Sequence, residues 1–151
     1  MRAIYVASDK GQPMVSVQAV NAITGRGLEG DRYKDGRGAF SKHRVGETFR
    51  DVSLIAVEAI AEANKEVEIP FSPEDTRRNI LTERVDLNTL VGQEFSVGDV
   101  RMLGVELCTP CNRPSALAKK PGFETAFQGR GGLRARILTD GVIIVGDVIS
   151  F

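Results

Sequence analysis

From Asn79 onward the chain is cut into apolar runs too short to build helices, with glycine or aspartate at most of the cuts. The runs are Asn79–Thr82, Glu94–Val97, Val100–Leu107, Leu133–Leu138 and Val142–Val145. Segments of about four to eight residues between turn formers suit strands rather than helices. The tetrapeptide Val-Gly-Asp-Val occurs twice, at 97–100 and 145–148, each time between apolar runs, and reads as a tight hairpin turn in both places. Many short strands, few helices and frequent glycine turns predict a mostly β, α+β fold, a closed or nearly closed β-barrel with a few peripheral helices.

The first half is less regular. Met14–Val20 alternates partially and reads as a strand, broken by the glycines of Gly25-Arg26-Gly27-Leu28-Glu29-Gly30-Asp31-Arg32-Tyr33. A polar loop continues through Asp35-Gly36-Arg37-Gly38 to about Arg50, and loops of that length in compact domains are usually functional or mobile. Val52–Ile55 reads as a strand running into Ala56–Lys65, whose alanines and glutamates suit an amphipathic helix. Ser72 as cap and Pro73 in the first helical position open a further turn at Glu74 and Asp75. The 151 residues fit one domain, 1–151, around one core.

Twenty basic residues balance twenty acidic ones, so net charge gives no general attraction to nucleic acid or membrane. Met1–Ala7 gives way at once to Ser8-Asp9-Lys10-Gly11, which leaves no apolar stretch for a signal peptide or a span and predicts a cytoplasmic protein. There thiols are kept reduced. The only two cysteines lie three apart in Leu107-Cys108-Thr109-Pro110-Cys111-Asn112-Arg113-Pro114, after a strand-like run and near arginines. A thiolate is the reactive form of cysteine, and a guanidinium or a helix first turn lowers its pKa.

The pair reads as nucleophile or metal ligand, as a redox dithiol, as part of a zinc site, or as inert buried sulfur. Redox exchange normally sits at a helix start in a βαβ setting, which this strand-rich half does not offer. Zinc wants four ligands, and His43 is the only histidine; between Lys42 and Arg44 it reads as a solvated loop residue rather than a general base. Asp31 and Arg32 read equally as turn chemistry or as a salt bridge holding their loop across the barrel mouth. Arg77 and Arg78, beside Glu74 and Asp75, have a plain reading as surface ion pairs, and Arg134 and Arg136 as the solvated face of a strand.

Five segments in order carry a family likeness: Gly27–Tyr33, Asp75-Thr76-Arg77-Arg78-Asn79-Ile80, Val91–Asp99, Cys108-Thr109-Pro110-Cys111-Asn112-Arg113, and Arg130-Gly131-Gly132-Leu133-Arg134-Ala135 with the closing Gly146-Asp147. Together they span nearly the whole chain, which resembles a small stand-alone member of the MOSC domain family, named for the C-terminal domain of molybdenum cofactor sulfurases. The resemblance implies a barrel-like β fold and a cysteine that ligates molybdenum or carries sulfur, and Cys111 is the matching residue. Cys108 matches a variant of the motif, as a resolving or assisting thiol.

The implied cofactor is molybdenum cofactor (molybdopterin), whose molybdenum takes soft sulfur ligands and whose phosphate suits the arginine fork. Arg77, Arg78, Arg113, Arg130, Arg134 and Arg136 lie in or beside the matched segments, and the expected phosphate and pterin contacts are Arg78, Asn79, Arg113 and Arg130, with Arg77, Asp31 and Arg32 beside them. Gly129-Arg130-Gly131-Gly132 offers backbone amides to an anion. A sulfur carrier of this kind needs a separate pyridoxal phosphate cysteine desulfurase, and a molybdenum-dependent reductase of N-hydroxylated substrates needs a separate electron-donor protein.

Overall fold

The computed structural model describes residues 1–41 and 51–151. In chain order the elements are β1 (Ala3–Val6), β2 (Val15–Val17), β3 (Ala19–Ile23), β4 (Gly27–Leu28), β5 (Val52–Ala56), α1 (Val57–Asn64), β6 (Ile80–Thr82), β7 (Glu94–Val97), β8 (Val100–Leu107), α2 (Arg113–Ala118), α3 (Phe123–Ala126), β9 (Leu133–Ile137), β10 (Gly141–Ile144) and β11 (Ile149–Ser150). Short 3-10 turns cover Glu74–Thr76 and Leu87–Leu90.

Strand alternation sorts the side chains. In β9, Leu133, Ala135 and Ile137 are fully buried, while Arg134 and Arg136 take the other face, as a period of two requires. The same rule puts Val52 and Leu54 of β5 and Ile80 of β6 inside with Val97, Met102 and Ile143. Outside, Ile55 and Leu81 are covered by Ile60 and Ala63 of α1 and by a cluster of three phenylalanines. Phe123 and Phe127 stack at 4.1 Å between centroids, and Phe71 meets both edge-on. Burying each such side chain contributes about 1.5–3 kcal/mol, so this second cluster anchors the helices to the sheet.

Eight strands form one sheet in the order β11-β7-β8-β9-β5-β6-β1-β2, curled into a half-barrel, and β10-β3-β4 form a second. All pairs are antiparallel except β5 with β6, which are linked through α1 as a parallel pair requires. Both edge strands of the large sheet pass into the small one through short links: β2 reaches β3 through Gln18 alone, and β10 reaches β11 through Val145–Val148. β3 and β10 then pair with each other, and the Val145 N–H donates to the Gln18 carbonyl at 2.9 Å. The barrel-like β fold expected from the sequence is the fold observed.

The two Val-Gly-Asp-Val copies part company. The first makes the expected hairpin, with Val97 opposite Val100 and Gly98 at φ 56°. The second does not, because β10 pairs with β3 and β11 with β7; it is a corner between sheets. The corner rests on the hairpin: the Gly98 N–H donates to the Val148 carbonyl at 3.0 Å, and the Asp147 carboxylate fills the space beside Gly98 that a Cβ would occupy.

The strand expected over Met14–Val20 is split at Gln18. The expected helix 56–65 is α1, with Ala56 in the cap position. Pro73 rather than Ser72 caps the following turn, and the Ser72 N–H donates to Asp75 Oδ2 at 2.8 Å. The periodicity gave no sign of β1, α2 and α3, which are short. The polar loop falls partly, and His43 entirely, outside the described residues. No helix among the described residues is long and apolar enough to cross a membrane.

Candidate functional site

At Leu107, paired with Leu133, β8 ends. The Cys108 N–H still donates to the Gly132 carbonyl at 2.7 Å, but Pro110 has no N–H with which to prolong the ladder. The chain turns, and Pro114 in the first turn of α2 starts a helix. Cys108 is thus buried against the sheet, and Cys111, in the turn before α2, is half-buried; both are free thiols. A helix does start just after the pair, but the strands flanking it, β8 and β9, are antiparallel neighbours rather than the parallel pair of a βαβ unit. Helix α2 was hidden because it has only six residues, one of them proline.

Beneath the thiols three backbones converge. A Cβ on Gly131 would strike the Cys108 carbonyl oxygen, and one on Gly132, at φ +97°, would strike that of Leu54. The Gly131 carbonyl accepts from Arg78 Nε at 2.8 Å and the Gly132 carbonyl from Cys108. These glycines offer carbonyls and close packing to the site, where the sequence reading gave their amides to an anion.

Both cysteines line a cleft whose empty space, open solvent included, is about 610 Å³. Five arginines line it: Arg32, Arg77, Arg78, Arg113 and Arg134. Arg77 sits in the left-handed region at φ 65° and sends its guanidinium to the Gln12 and Lys10 carbonyls, the latter at 3.1 Å. Arg113 donates to the same Lys10 carbonyl at 2.7 Å. Burial, then the neighbouring charges of Arg32 and Arg113, push the Arg77 pKa down to about 10, which leaves it cationic at neutral pH. Arg78 donates to the Thr76 carbonyl at 3.1 Å as well as to Gly131.

The remaining predicted residues build walls. Asp31 is fully buried; it accepts from the Ala7 and Tyr33 N–H groups and pairs with Arg32 at 3.0 Å, so it is turn former and salt-bridge partner at once. Arg32 also donates to the Arg77 carbonyl at 3.1 Å and lies over the Tyr33 ring. Asn79 accepts from the Ser53 N–H and hydroxyl and donates to the Tyr5 carbonyl at 3.1 Å, tying β5, β6 and β1 together.

Arg130 does not join the cleft. Its guanidinium reaches Glu66 at 2.9 Å and lines a separate hollow with Glu58, Arg84 and Asp86. The turn from Phe127 to Arg130, closed by an Arg130 N–H to Phe127 carbonyl bond of 3.0 Å, precedes β9 and directs that side chain elsewhere.

Arg134, which strand periodicity alone assigns to a solvated face, does line the cleft. It pairs with Glu106 at 2.9 Å and lies against the Phe40 ring, covered by the loop from β4. Burial opposes its charge, but the nearby Cys108 sulfur and the Glu106 carboxylate outweigh it and hold the Arg134 pKa above the ordinary value. Tyr33, Phe40 and Ser53 also line the cleft; Tyr33 stood in a matched segment, whereas nothing in the sequence pointed to Phe40 or Ser53.

Chemically, the cleft offers two thiols and a surplus of positive charge to an anion. Among the described residues no three histidine, cysteine, aspartate or glutamate side chains gather to hold a metal ion. The thiols suit a soft metal that brings most of its own ligands.

A family model described as the MOSC domain matches residues 41–150. No curated protein matches the chain. The fold is similar to the crystal structure of the YuaD protein from Bacillus subtilis, with a TM-score of 0.82 at 20% identity over 99% of this chain and 94% of that one. It is also similar to YiiM from Geobacillus stearothermophilus (TM-score 0.72, 15% identity, 98% and 72% covered) and to YiiM from Escherichia coli (0.68, 16%, 99% and 69%).

Proposed function

The chain belongs to the MOSC domain family, which is associated with molybdenum cofactor binding, and from that premise we propose that the cysteine cleft holds a molybdenum–pterin cofactor with Cys111 as the protein's thiolate toward the metal or its sulfur. The observation that carries this reading is the half-buried Cys111 opening onto the same cleft as Arg78 and Arg113. One thiolate is a reasonable added ligand for a soft metal already bound by sulfur, and a phosphate takes the planar donors of arginine. The residues present fit the group.

Arg78 and Arg113 receive the phosphate, Arg77 adds charge behind them, and Asp31, Arg32 and Asn79 fix the wall. When bound, the cofactor supplies two-electron chemistry at molybdenum. Sulfur for Cys111, in the carrier form of this reading, comes from a separate cysteine desulfurase, and electrons, in its reductase form, from a separate donor protein. A second reading, cofactor-free dithiol exchange between Cys108 and Cys111, draws support from the helix that starts just after Cys111.

Elemental analysis of protein expressed in a cofactor-competent host separates the two. Near-stoichiometric molybdenum, lost on Cys111→Ser, is the expected result. A metal-free protein that only cycles between dithiol and disulfide overturns the cofactor reading in favour of the second.

A further inference from the structure

The described lining of the cysteine cleft joins two thiols to five arginines. Fixed positive charge of that kind favours one class of reaction at a thiolate. Attack that expels a stable oxyanion gains from cations held around the departing oxygens.

Among leaving groups a thiolate can displace at sulfur, sulfite meets this condition, because it departs as a dianion with no proton to collect. We propose that Cys111 accepts sulfane sulfur from a thiosulfate-class donor whose oxyanion end is held by Arg78 and Arg113. The Cys111 thiolate attacks the outer sulfur of thiosulfate, the new bond is the Cys111 S–S bond, and the S–S bond of the donor breaks with its electron pair leaving on sulfite. One thiolate and one dianion yield one persulfide anion and one dianion, so charge and atoms balance without a redox partner. A nucleophilic acceptor, such as cyanide or a small thiol, then attacks the outer sulfur and returns the Cys111 thiolate.

Two features of the site suit this step. The guanidiniums of Arg78 and Arg113 rest on the carbonyls of Gly131, Thr76 and Lys10, neutral acceptors that leave their charge uncancelled. Val52 and Phe40 give the cleft an apolar wall, which shields a persulfide from water. The inference rests on the reading of Cys111 as the thiol that handles sulfur, and it adds a donor that requires no pyridoxal phosphate enzyme.

Wild-type protein expressed without molybdate, so that Cys111 is free, then incubated with sodium thiosulfate and desalted, is expected to gain the mass of one sulfur atom on the Cys111 peptide, released by cyanide as thiocyanate. Arg78→Ala and Arg113→Ala each raise KM for thiosulfate about tenfold, as loss of one charge-assisted contact implies, with kcat changed less. Arg101→Ala, on the exposed end of β8 and paired with Glu94, leaves both constants unchanged. Cys111→Ser forms no thiocyanate; if that variant does not fold, alkylation of the more exposed thiol in wild-type protein gives the same arm.

Absence of added sulfur on wild-type Cys111, or thiocyanate formation indifferent to both arginine variants, overturns the proposal. Protein that holds molybdenum when loaded but, freed of it, takes no sulfur from thiosulfate sinks this inference alone. Protein that takes sulfur but never holds molybdenum sinks the cofactor reading alone.

Discussion

Two hollows in this molecule are lined by arginine, and they differ in what the guanidiniums touch. In the hollow beside α1, Arg130 is paired with Glu66, and Arg84 shares the lining with Glu58 and Asp86, so carboxylates stand among the cations. In the cysteine cleft, Arg32 and Arg134 are paired with Asp31 and Glu106, but Arg77, Arg78 and Arg113 point at the carbonyls of Lys10, Gln12, Thr76 and Gly131. A carbonyl orients a guanidinium without neutralising it. The first hollow is therefore balanced, whereas the second keeps its charge for a ligand, and counting arginines near a motif does not tell one from the other.

The strongest way to break this contrast is Gly131→Ala. The added methyl meets the Cys108 carbonyl oxygen, and the Gly131 carbonyl that orients Arg78 moves with it. Destabilisation of about 3 kcal/mol in denaturant unfolding, together with loss of molybdenum from the purified protein, is expected. Next comes Arg78→Ala, which leaves the fold intact and weakens cofactor retention about tenfold, measured as molybdenum remaining after dialysis.

A smaller effect attends Asp75→Asn. Asp75 pairs with Lys120 at 2.6 Å and ties the turn at Glu74–Thr76 to the end of α2. Burial alone would raise the Asp75 pKa, but the Lys120 ammonium and the Ser72 N–H outweigh it and hold the carboxyl below its ordinary value. A lowered carboxylate pKa stabilises the fold above the ordinary carboxylate range and ceases to do so as pH falls through the folded value. The variant should lose about 1 kcal/mol at neutral pH and show a flatter acid limb in thermal melts. The smallest effect is expected of Arg130→Ala: stability within about 0.5 kcal/mol and unchanged molybdenum retention, since its exposed pair lies outside the cleft. A large loss of retention there would erase the distinction between the two hollows.

The sequence made the cleft legible wherever a residue's surroundings are local. Cys111 follows a strand and precedes an arginine, and the structure puts it beside the guanidiniums; β7 and β8 begin and end where their apolar runs do. Arg130 and Arg134 show the limit. They stand four residues apart in one matched segment, yet the turn after α3 sends the first to Glu66 while strand geometry sends the second toward Cys108. Periodicity names the outward face of β9 but not what covers it, and only the loop carrying Phe40 turns that face into a cleft wall. Helices α2 and α3 escaped notice because six and four residues are too few for a helical repeat to declare itself.

The repeated Val-Gly-Asp-Val segments carry an evolutionary consequence. Because the carboxylate of Asp147 occupies the volume vacated by the missing side chain of Gly98, neither site is at liberty to drift on its own. A bulkier residue at 98 demands a shorter one at 147, so the two positions, 49 apart in the chain, are expected to change as a linked pair among related sequences.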